Sequence, residues 1–203
     1  MSDKSSQFAK LVAEIKSHHC SLRGGCQQAV PGDGNINSPV VFIGEAPGKM
    51  EDELGHPFVG SAGKLLAEAL STIGWQREDI YITNVVKCRP PENRDPLPEE
   101  VEEHKSFLTR ELALIQPKLI VLLGRHALHW FLPAEKISEI RGTAKRRGNQ
   151  IFFPIYHPAA ALYDPRLRAT LMSDFKKIPI LLGKIDQLSE TKSPTLSVQS
   201  SIF

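Results

Sequence analysis

Four short and largely apolar segments recur along this chain, each separated from the next by a longer segment of helical or loop character. They cover residues 40–43, 80–86, 119–123 and 151–156. Three of the four are almost wholly apolar, which is typical of strands that are covered on both faces. Strands that alternate with helices form parallel sheets. The spacing therefore predicts an α/β fold built on a parallel sheet.

The intervening segments predict the helices and the limits of the domain. Apolar residues at helical spacing predict helices over residues 5–17, 61–74, 98–114 and 167–181, and the glycine-rich segment 21–38 indicates a long loop. Residues 187–203 are rich in Ser and Thr and poor in apolar side chains. We therefore expect one domain over residues 1–186, including the N-terminal helix and loop, followed by a disordered tail.

Composition restricts the class of protein without choosing a function. The hydrophobic fraction of 41% is sufficient for a core, and the net charge of +2 neither requires nor excludes a nucleic-acid partner. No apolar run approaches the ~20 residues that span a bilayer, and the first residues lack the apolar core of a signal peptide. We expect a cytoplasmic monomer with no membrane association.

The strand ends carry the polar residues that such a sheet would use. Ligands of parallel α/β sheets bind outside the carboxyl ends of the strands. Those ends carry Glu45, Asn84, residues 124–126 and His157, in chain order. Polar side chains at one edge of an otherwise apolar sheet indicate a binding or catalytic site.

Two of these side chains have a structural and a functional interpretation. Glu45 lies in the stretch GEAPG. A solvated turn would use these residues, and so would a pocket that aims one carboxylate at a substrate, because glycine lets the backbone approach a ligand closely. His157 could equally be a structural loop residue. In its functional interpretation, the neutral imidazole donates a hydrogen bond to an oxygen that gains charge in a transition state.

Asn84 and Phe58 also allow two interpretations. Asparagine is disfavoured inside strands, so the Asn84 amide is either satisfied by neighbouring backbone or presents its donor and acceptor to a ligand. That pair matches one edge of uracil or thymine and mismatches cytosine, so a site built on it can reject the wrong base. Phe58 is either a core residue or a platform on which a base stacks.

Three blocks of the sequence resemble a known family. GEAPGKMEDELGHPFVGSAGKLL, ITNVVKCRPPENRDPLPEE and YHPAA are similar to the signature blocks of the family 4, iron–sulfur uracil-DNA glycosylases, and the likeness covers residues 17–182. It implies a three-layer α/β/α sandwich with a four-stranded parallel central sheet. It also implies an enzyme that flips uracil out of DNA and hydrolyses its N-glycosidic bond, leaving an abasic site and free uracil.

The resemblance implies roles for individual residues. Glu45 would lie near the attacking water, and His157 would hydrogen-bond the uracil O2. Phe58 would stack on the flipped base and Asn84 would read its polar edge. Further pocket positions of the same motif are Gly44 and Glu51.

The resemblance departs from the family at the metal site. The family's [4Fe–4S] cluster is held by four cysteines, and those positions fall here on Ser17, Cys20, Cys88 and His104. Histidine can ligate iron, serine rarely does, and Cys26 could stand in. The set Cys20, Cys26, Cys88 and His104 would accept a degenerate cluster or a zinc ion. The third alternative is an empty site in which packing alone holds the loop.

DNA contacts are expected to go mostly to phosphates. Candidates are Arg141, Lys145, Arg146 and Arg147, although the last three could instead form a solvated hairpin tip. Residues 89–95 lack the histidine of a related family that traps itself covalently on DNA, which favours hydrolysis.

Two alternative functions belong to other classes of protein. The first is a catalytically silent DNA- or base-binding module with a degenerate metal site, against which the intact Glu45, Asn84 and His157 argue. The second is a nucleotide-binding α/β protein unrelated to DNA. The absence of a glycine-rich phosphate loop disfavours that second alternative.

Overall fold

A six-stranded sheet forms the centre of the computed structural model, which describes residues 3–190. The strands are β1 (Asp33–Gly34), β2 (Val40–Gly44), β3 (Tyr81–Asn84), β4 (Leu119–Leu123), β5 (Lys145–Arg147) and β6 (Gln150–Ile155), in the order β1-β3-β2-β4-β6-β5. The four central strands are parallel, and β1 and β5 pair antiparallel at the edges. The predicted four-stranded parallel core is confirmed, with two short edge strands that were not predicted.

Helices surround this sheet, and short ones follow several of its strands. They are α1 (Lys4–Ser17), α2 (Lys49–Leu54), α3 (Ser61–Ser71), α4 (Pro98–Ile115), α5 (Gly124–Phe131), α6 (Ile137–Ile140), α7 (Pro158–Ala161), α8 (Pro165–Phe175) and α9 (Lys177–Glu190). The four predicted helices correspond to α1, α3, α4 and the pair α8–α9. The short helices α2, α5, α6 and α7 were missed, because four to eight residues carry too little periodicity to predict a helix.

Alternate strand residues build two separate cores, as the pleat of a sheet requires. Val41 and Ile43 face α1, α4 and α5, whereas Val40 and Phe42 face α3, α8 and α9. All five residues of β2 are buried. The result is the expected three-layer α/β/α sandwich.

The C-terminal boundary differs from the prediction. Helix α9 continues to Glu190, so the predicted tail at 187–203 begins inside a helix. Leu181, Leu182 and Ile185 pack against the core and continue the helix past the predicted end. Residues 191–203 of that predicted tail lie outside the described residues. Among residues 3–190, no helix has both the length and the hydropathy of a membrane span.

Candidate active site

A cavity of about 280 Å³ opens at the carboxyl ends of β2, β3 and β6. Its lining includes Glu45, Glu51, Phe58, Asn84 and His157. A second hollow next to it shares Glu45 and His157 and adds Arg125 and His126, which follow β4. The structure therefore brings together the side chains that the sequence places at the strand ends.

Gly44 forms the wall against which the asparagine and phenylalanine of the pocket lie. A Cβ atom at this position would overlap the Asn84 Oδ1 atom and would come within 2.6 Å of the Phe58 ring. Such distances are not tolerated in packed proteins, so either side chain would have to move. The absent side chain of Gly44 lets Asn84 and Phe58 approach the end of β2 closely.

Asn84 is buried and its amide has an unused acceptor. Its Oδ1 atom has no hydrogen-bond partner among the described residues, although a buried polar atom of this kind normally has one. The backbone is held independently, because the Lys87 Nζ atom donates to the Asn84 carbonyl oxygen at 2.8 Å. The amide is thus positioned in the cavity wall with hydrogen-bonding capacity left for a ligand.

Phe58 has a backbone conformation that is unusual for a residue with a side chain. Its φ angle is +54°, in the left-handed region that costs energy outside glycine and clusters at functional sites. Arg77 donates to the carbonyl oxygens of Pro57 and Phe58. The Phe58 ring is buried, and its centroid lies 5.6 Å from that of His157. The ring forms one side of the cavity, where it can stack on a planar ligand.

Glu51 holds this phenylalanine loop. Its Oε1 atom accepts hydrogen bonds from the backbone N–H groups of Val59 at 2.9 Å and Gly60 at 2.8 Å. The carboxylate also lines the cavity. These contacts indicate that Glu51 positions Phe58, which is a more indirect role than the substrate contact implied by the resemblance.

The geometry around His157 defines which of its ring nitrogens carries the proton. The Nδ1 atom accepts a hydrogen bond from the Ala159 N–H at 3.1 Å, so the proton of the neutral ring lies on Nε2. Shielding from water, reinforced by His126, lowers the pKa of His157 to about 4. The ring has room because a Cβ at Gly124, where φ is +85°, would lie 2.9 Å from the His157 Cβ. Near neutral pH, His157 is an uncharged N–H donor.

Glu45 lies in a cluster that the sequence analysis did not predict. Its Oε2 atom is 3.7 Å from the His126 Nε2 atom, which is 3.2 Å from the Asp95 Oδ1 atom. Arg125 donates to Asp95 at 3.1 Å and to His126 at 2.8 Å. Burial, reinforced by the negative charge of Asp95, raises the pKa of Glu45 to about 7. The carboxylate is therefore near its titration midpoint at neutral pH.

A buried ion pair lies beneath the pocket. The Lys87 Nζ atom is 2.6 Å from the Glu111 Oε2 atom, and both side chains are 1% exposed. Tyr81 and Thr83 donate to the same carboxylate. Burial lowers the pKa of Lys87, and Glu111 opposes that shift. Because Lys87 also binds the Asn84 carbonyl, this network links α4 to the end of β3.

The predicted metal ligands lie in one region, where Cys20 neighbours His104 and the Cys88 thiol contacts both Cys20 and Cys26. The Sγ atoms of Cys20 and Cys88 are 3.4 Å apart, and His104 lies beside Cys20. The Ser17 Oγ atom is exposed and donates to the Glu14 carbonyl oxygen. Since the chain contains three cysteines, the described residues do not provide the four thiolates of the cluster that the resemblance implies.

The loop that carries Cys20 is held by more contacts than its glycine-rich sequence suggests. Leu22, Ala29 and Val30 are buried, and the Val30 N–H donates to the Lys87 carbonyl at 2.7 Å. The buried Asp52 carboxylate accepts from two further backbone amides of the loop. Packing and backbone hydrogen bonds therefore hold this loop in place.

The predicted DNA-contacting residues do not form one surface at the pocket. Strand β5 runs antiparallel to β6, so Arg146 and Arg147 lead to a turn at the edge of the sheet opposite the pocket. They bind the carbonyl oxygens of Gly148 and Phe131. Strand direction decides at which edge a hairpin tip lies, so Arg146 and Arg147 stay predicted DNA contacts that lie away from the pocket.

Arg141 and Lys145 are each neutralised by an acidic partner. Arg141 lies 3.1 Å from the fully buried Asp174 carboxylate, with its guanidinium over the Tyr156 ring. Lys145 lies 3.3 Å from Glu135. A phosphate would have to compete with these acidic partners, and DNA binding by Arg141 and Lys145 stays a prediction.

Comparisons of the sequence with those of known proteins point to one family. A family model described as the uracil DNA glycosylase superfamily matches residues 31–178. A type-4 uracil-DNA glycosylase of Archaeoglobus fulgidus is 50% identical over 92% of this chain and 95% of its own length. Type-4 uracil-DNA glycosylases of Sulfurisphaera tokodaii and Thermotoga maritima are 45% and 41% identical. They cover 81% and 88% of this chain, and 79% and 96% of their own lengths.

Proposed function

Because the chain belongs to the uracil DNA glycosylase superfamily, we propose that it removes uracil from DNA by hydrolysing the N-glycosidic bond. The observation that carries this proposal is the buried Asn84 amide, whose Oδ1 has no partner among the described residues and which lines the same cavity as the Phe58 ring. The function is that of a DNA-repair hydrolase acting on DNA, with an abasic site and free uracil as products.

Substrate binding requires the nucleotide to leave the helix. A base inside a duplex is out of reach, and a mispaired or unstacked nucleotide costs least to extrude. The flipped uracil would stack on Phe58, with Gly44 allowing it to sit deep in the cavity. The Asn84 amide would accept from the uracil N3–H and donate to O4. Cytosine presents the inverted pattern and would leave both polar groups unpaired.

Bond cleavage places negative charge on the base and positive charge on the sugar. The bond between C1′ and N1 breaks, and its electron pair remains on the uracil. The His157 Nε2–H would donate to O2 and stabilise this anion. Glu45 in its ionised form would stabilise the cationic sugar and orient a water, whose oxygen bonds to C1′. The proton released from that water returns to uracil, and no covalent sugar–enzyme intermediate is needed.

The direct test is excision from an oligonucleotide that contains one uracil. Alkali cleaves the product only where a base has been removed, so strand scission reports hydrolysis. Binding without scission would support the alternative of a catalytically silent DNA-binding module. A matched oligonucleotide with thymine or cytosine at the same position measures the base preference.

Replacing Asn84 by aspartate is expected to lower uracil excision at least ~10-fold, because one hydrogen bond to the base is worth about 1–3 kcal/mol. The carboxylate has no proton to donate to O4, and its charge opposes the developing uracil anion. Excision is measured under single-turnover conditions, with Asn149→Asp as a control in the exposed hairpin turn. A wild-type rate and base preference in Asn84→Asp would remove Asn84 from base recognition.

The pH dependence of excision is expected to follow Glu45. Activity requires the ionised carboxylate, so the rate should rise with pH through about 7, the pKa of Glu45. Asp95→Asn removes a neighbouring negative charge that raises this pKa, so the rise should move to lower pH. Glu92→Gln, in the same exposed loop, serves as the control. An unchanged pH profile in Asp95→Asn would show that Glu45 does not set the acid limb.

The remaining parts of the proposal concern surroundings and cofactor. We expect a cytoplasmic monomer whose DNA contacts lie around the pocket mouth, where Arg125 and Lys49 are exposed. The type-4 resemblance implies a [4Fe–4S] cluster, whose four cysteine positions fall here on Ser17, Cys20, Cys88 and His104, so the residues present do not fit its four thiolates. No step above depends on it, since Glu45, Asn84 and His157 perform each of them.

A further inference from the structure

Two buried histidine nitrogens near Cys20 have no hydrogen-bond partner among the described residues. They are the Nε2 atoms of His18 and His104. Leaving a buried acceptor unpaired costs the full desolvation of that group. His104 is 0% exposed, so bulk solvent does not reach its ring. The two ring centroids lie 5.5 Å apart. Two unpaired buried nitrogens on neighbouring rings indicate a ligand-binding site.

The orientation of His104 is that of a metal ligand. Its Nδ1 atom is 2.7 Å from the Glu100 carbonyl oxygen, to which it must donate because a carbonyl only accepts. The proton of the neutral ring is thereby fixed on Nδ1, and Nε2 keeps its lone pair. Metal-binding histidines are generally oriented by this kind of second hydrogen bond.

Three of the donor atoms lie in one group, and the fourth lies beside one of them. One nitrogen from each histidine and the Cys20 sulfur all lie within 4.8 Å of one another. The Cys88 sulfur is 3.4 Å from the Cys20 sulfur. Donors around a tetrahedral zinc ion are separated by about 3.3–3.8 Å, given Zn–S and Zn–N distances of about 2.3 and 2.1 Å. A cluster would hold its ligands on different iron atoms and therefore further apart.

The other candidate positions are Cys26 and Ser17. Arg23 donates to the Cys26 sulfur at 3.8 Å, and Cys26 also lies within hydrogen-bond reach of the Cys88 thiol. Neither Cys26 nor Cys88 belongs to the group of donors within 4.8 Å of one another, and the 3.4 Å contact between the Cys88 and Cys20 sulfurs selects Cys88 as the fourth ligand. The Ser17 hydroxyl donates to the backbone of its own helix. His18, directly after Ser17, ends α1 and packs edge-on against Phe107 and His104.

We propose that His18, Cys20, Cys88 and His104 bind one tetrahedral metal ion of the zinc class, in place of the four-thiolate cluster that the type-4 resemblance implies. Two thiolates and two imidazoles form a complete structural zinc set. The ligands come from the end of α1, the following loop, the segment after β3 and helix α4. The ion would therefore join these elements, and its ligand Cys88 is four residues after Asn84 in the sequence.

Metal and sulfide analysis of the full-length protein tests the composition of the site. Protein purified without oxygen from a medium containing both zinc and iron is expected to carry about one zinc per chain and no acid-labile sulfide. Metal-depleted protein should bind one cobalt(II) with the visible absorption of tetrahedral thiolate coordination. Iron with matching sulfide would overturn the proposal, and so would a chain that takes up neither zinc nor cobalt.

Variants test the assignment of the ligands. His18→Ala is expected to weaken zinc binding by more than ~100-fold in competition with a chelator, the upper scale for removing even an indirect partner of a metal site. His19→Ala, at the adjacent exposed residue, should bind zinc like the wild type. Cys26→Ser should also retain zinc.

Two results would contradict the assignment of the ligands. Wild-type zinc affinity in His18→Ala, or loss of zinc in Cys26→Ser, would overturn this set of four ligands. If His18→Ala fails to fold, titration of the wild-type protein with cobalt still decides the proposal, because two thiolates and three thiolates give different charge-transfer intensities. Uracil excision is not a readout in any of these measurements.

Discussion

Replacing Glu45 or His157 by alanine is expected to lower single-turnover uracil excision by at least ~100-fold in each case. This is the usual scale for removing one preorganised electrostatic group, about 2.7 kcal/mol or more. Glu45 is the carboxylate in the cavity whose pKa is raised to about 7. His157 presents its Nε2–H to the cavity because its Nδ1 is occupied by the Ala159 N–H. Glu45→Ala removes the group that stabilises the cationic sugar in the transition state. His157→Ala removes the donor that stabilises the uracil anion.

The controls separate chemistry from folding. Glu78→Ala and His19→Ala remove the same side-chain types at exposed positions away from the cavity and should leave the rate unchanged. His157 also caps α7 through its Nδ1. The variant His157→Asn keeps a capping side chain while losing the imidazole, and its excision should remain low. Wild-type rates in Glu45→Ala or His157→Asn would show that the assigned roles are wrong.

Replacing Glu111 by alanine is expected to lower the free energy of unfolding by about 3–5 kcal/mol, the cost of leaving one member of a buried ion pair uncompensated. Lys87 would remain 1% exposed with its carboxylate gone, and the Tyr81 and Thr83 hydroxyls would lose their acceptor. Urea denaturation measures the change. The effect should also reach excision, because Lys87 positions the Asn84 carbonyl.

The matched control breaks an exposed ion pair that involves the same helix. Glu14→Ala breaks an exposed pair with Arg110 of α4, and exposed pairs contribute little to stability. The double variant Lys87→Met with Glu111→Leu removes both charges and should recover much of the loss. An effect of Glu111→Ala no larger than that of Glu14→Ala would show that the buried network does not stabilise the fold.

Local patterns in the sequence were sufficient to predict the positions of the principal pocket residues. The four central strands have four to six residues each. Their largely apolar sequences predict that they are buried. Once a parallel sheet follows from the alternation, Glu45, Asn84 and His157 must share an edge, because parallel strands end on the same side. Strands that are buried on both faces are continuously apolar, and this pattern is what predicted the parallel sheet.

Charge partners could not be predicted in the same way. The basic run at 145–147 indicated a phosphate-binding surface, but its orientation depends on the direction of β5 beside β6. Arg141 reads as a free cation in the sequence and is neutralised by Asp174, which is 33 residues away. Long-range pairing follows from the fold, and no local pattern encodes it.

The sequence by itself determined the α/β class. It also determined which polar residues follow each central strand and therefore lie at the pocket edge of the sheet. These depend on apolar periodicity and on glycine, which act within a few residues. Only the tertiary structure decided which groups meet: Asp95 and His126 beside Glu45, Lys87 with Glu111, and His18 with His104. Each of these contacts joins elements that are distant in the chain. Their pKa shifts and unpaired atoms arise from burial that packing alone creates.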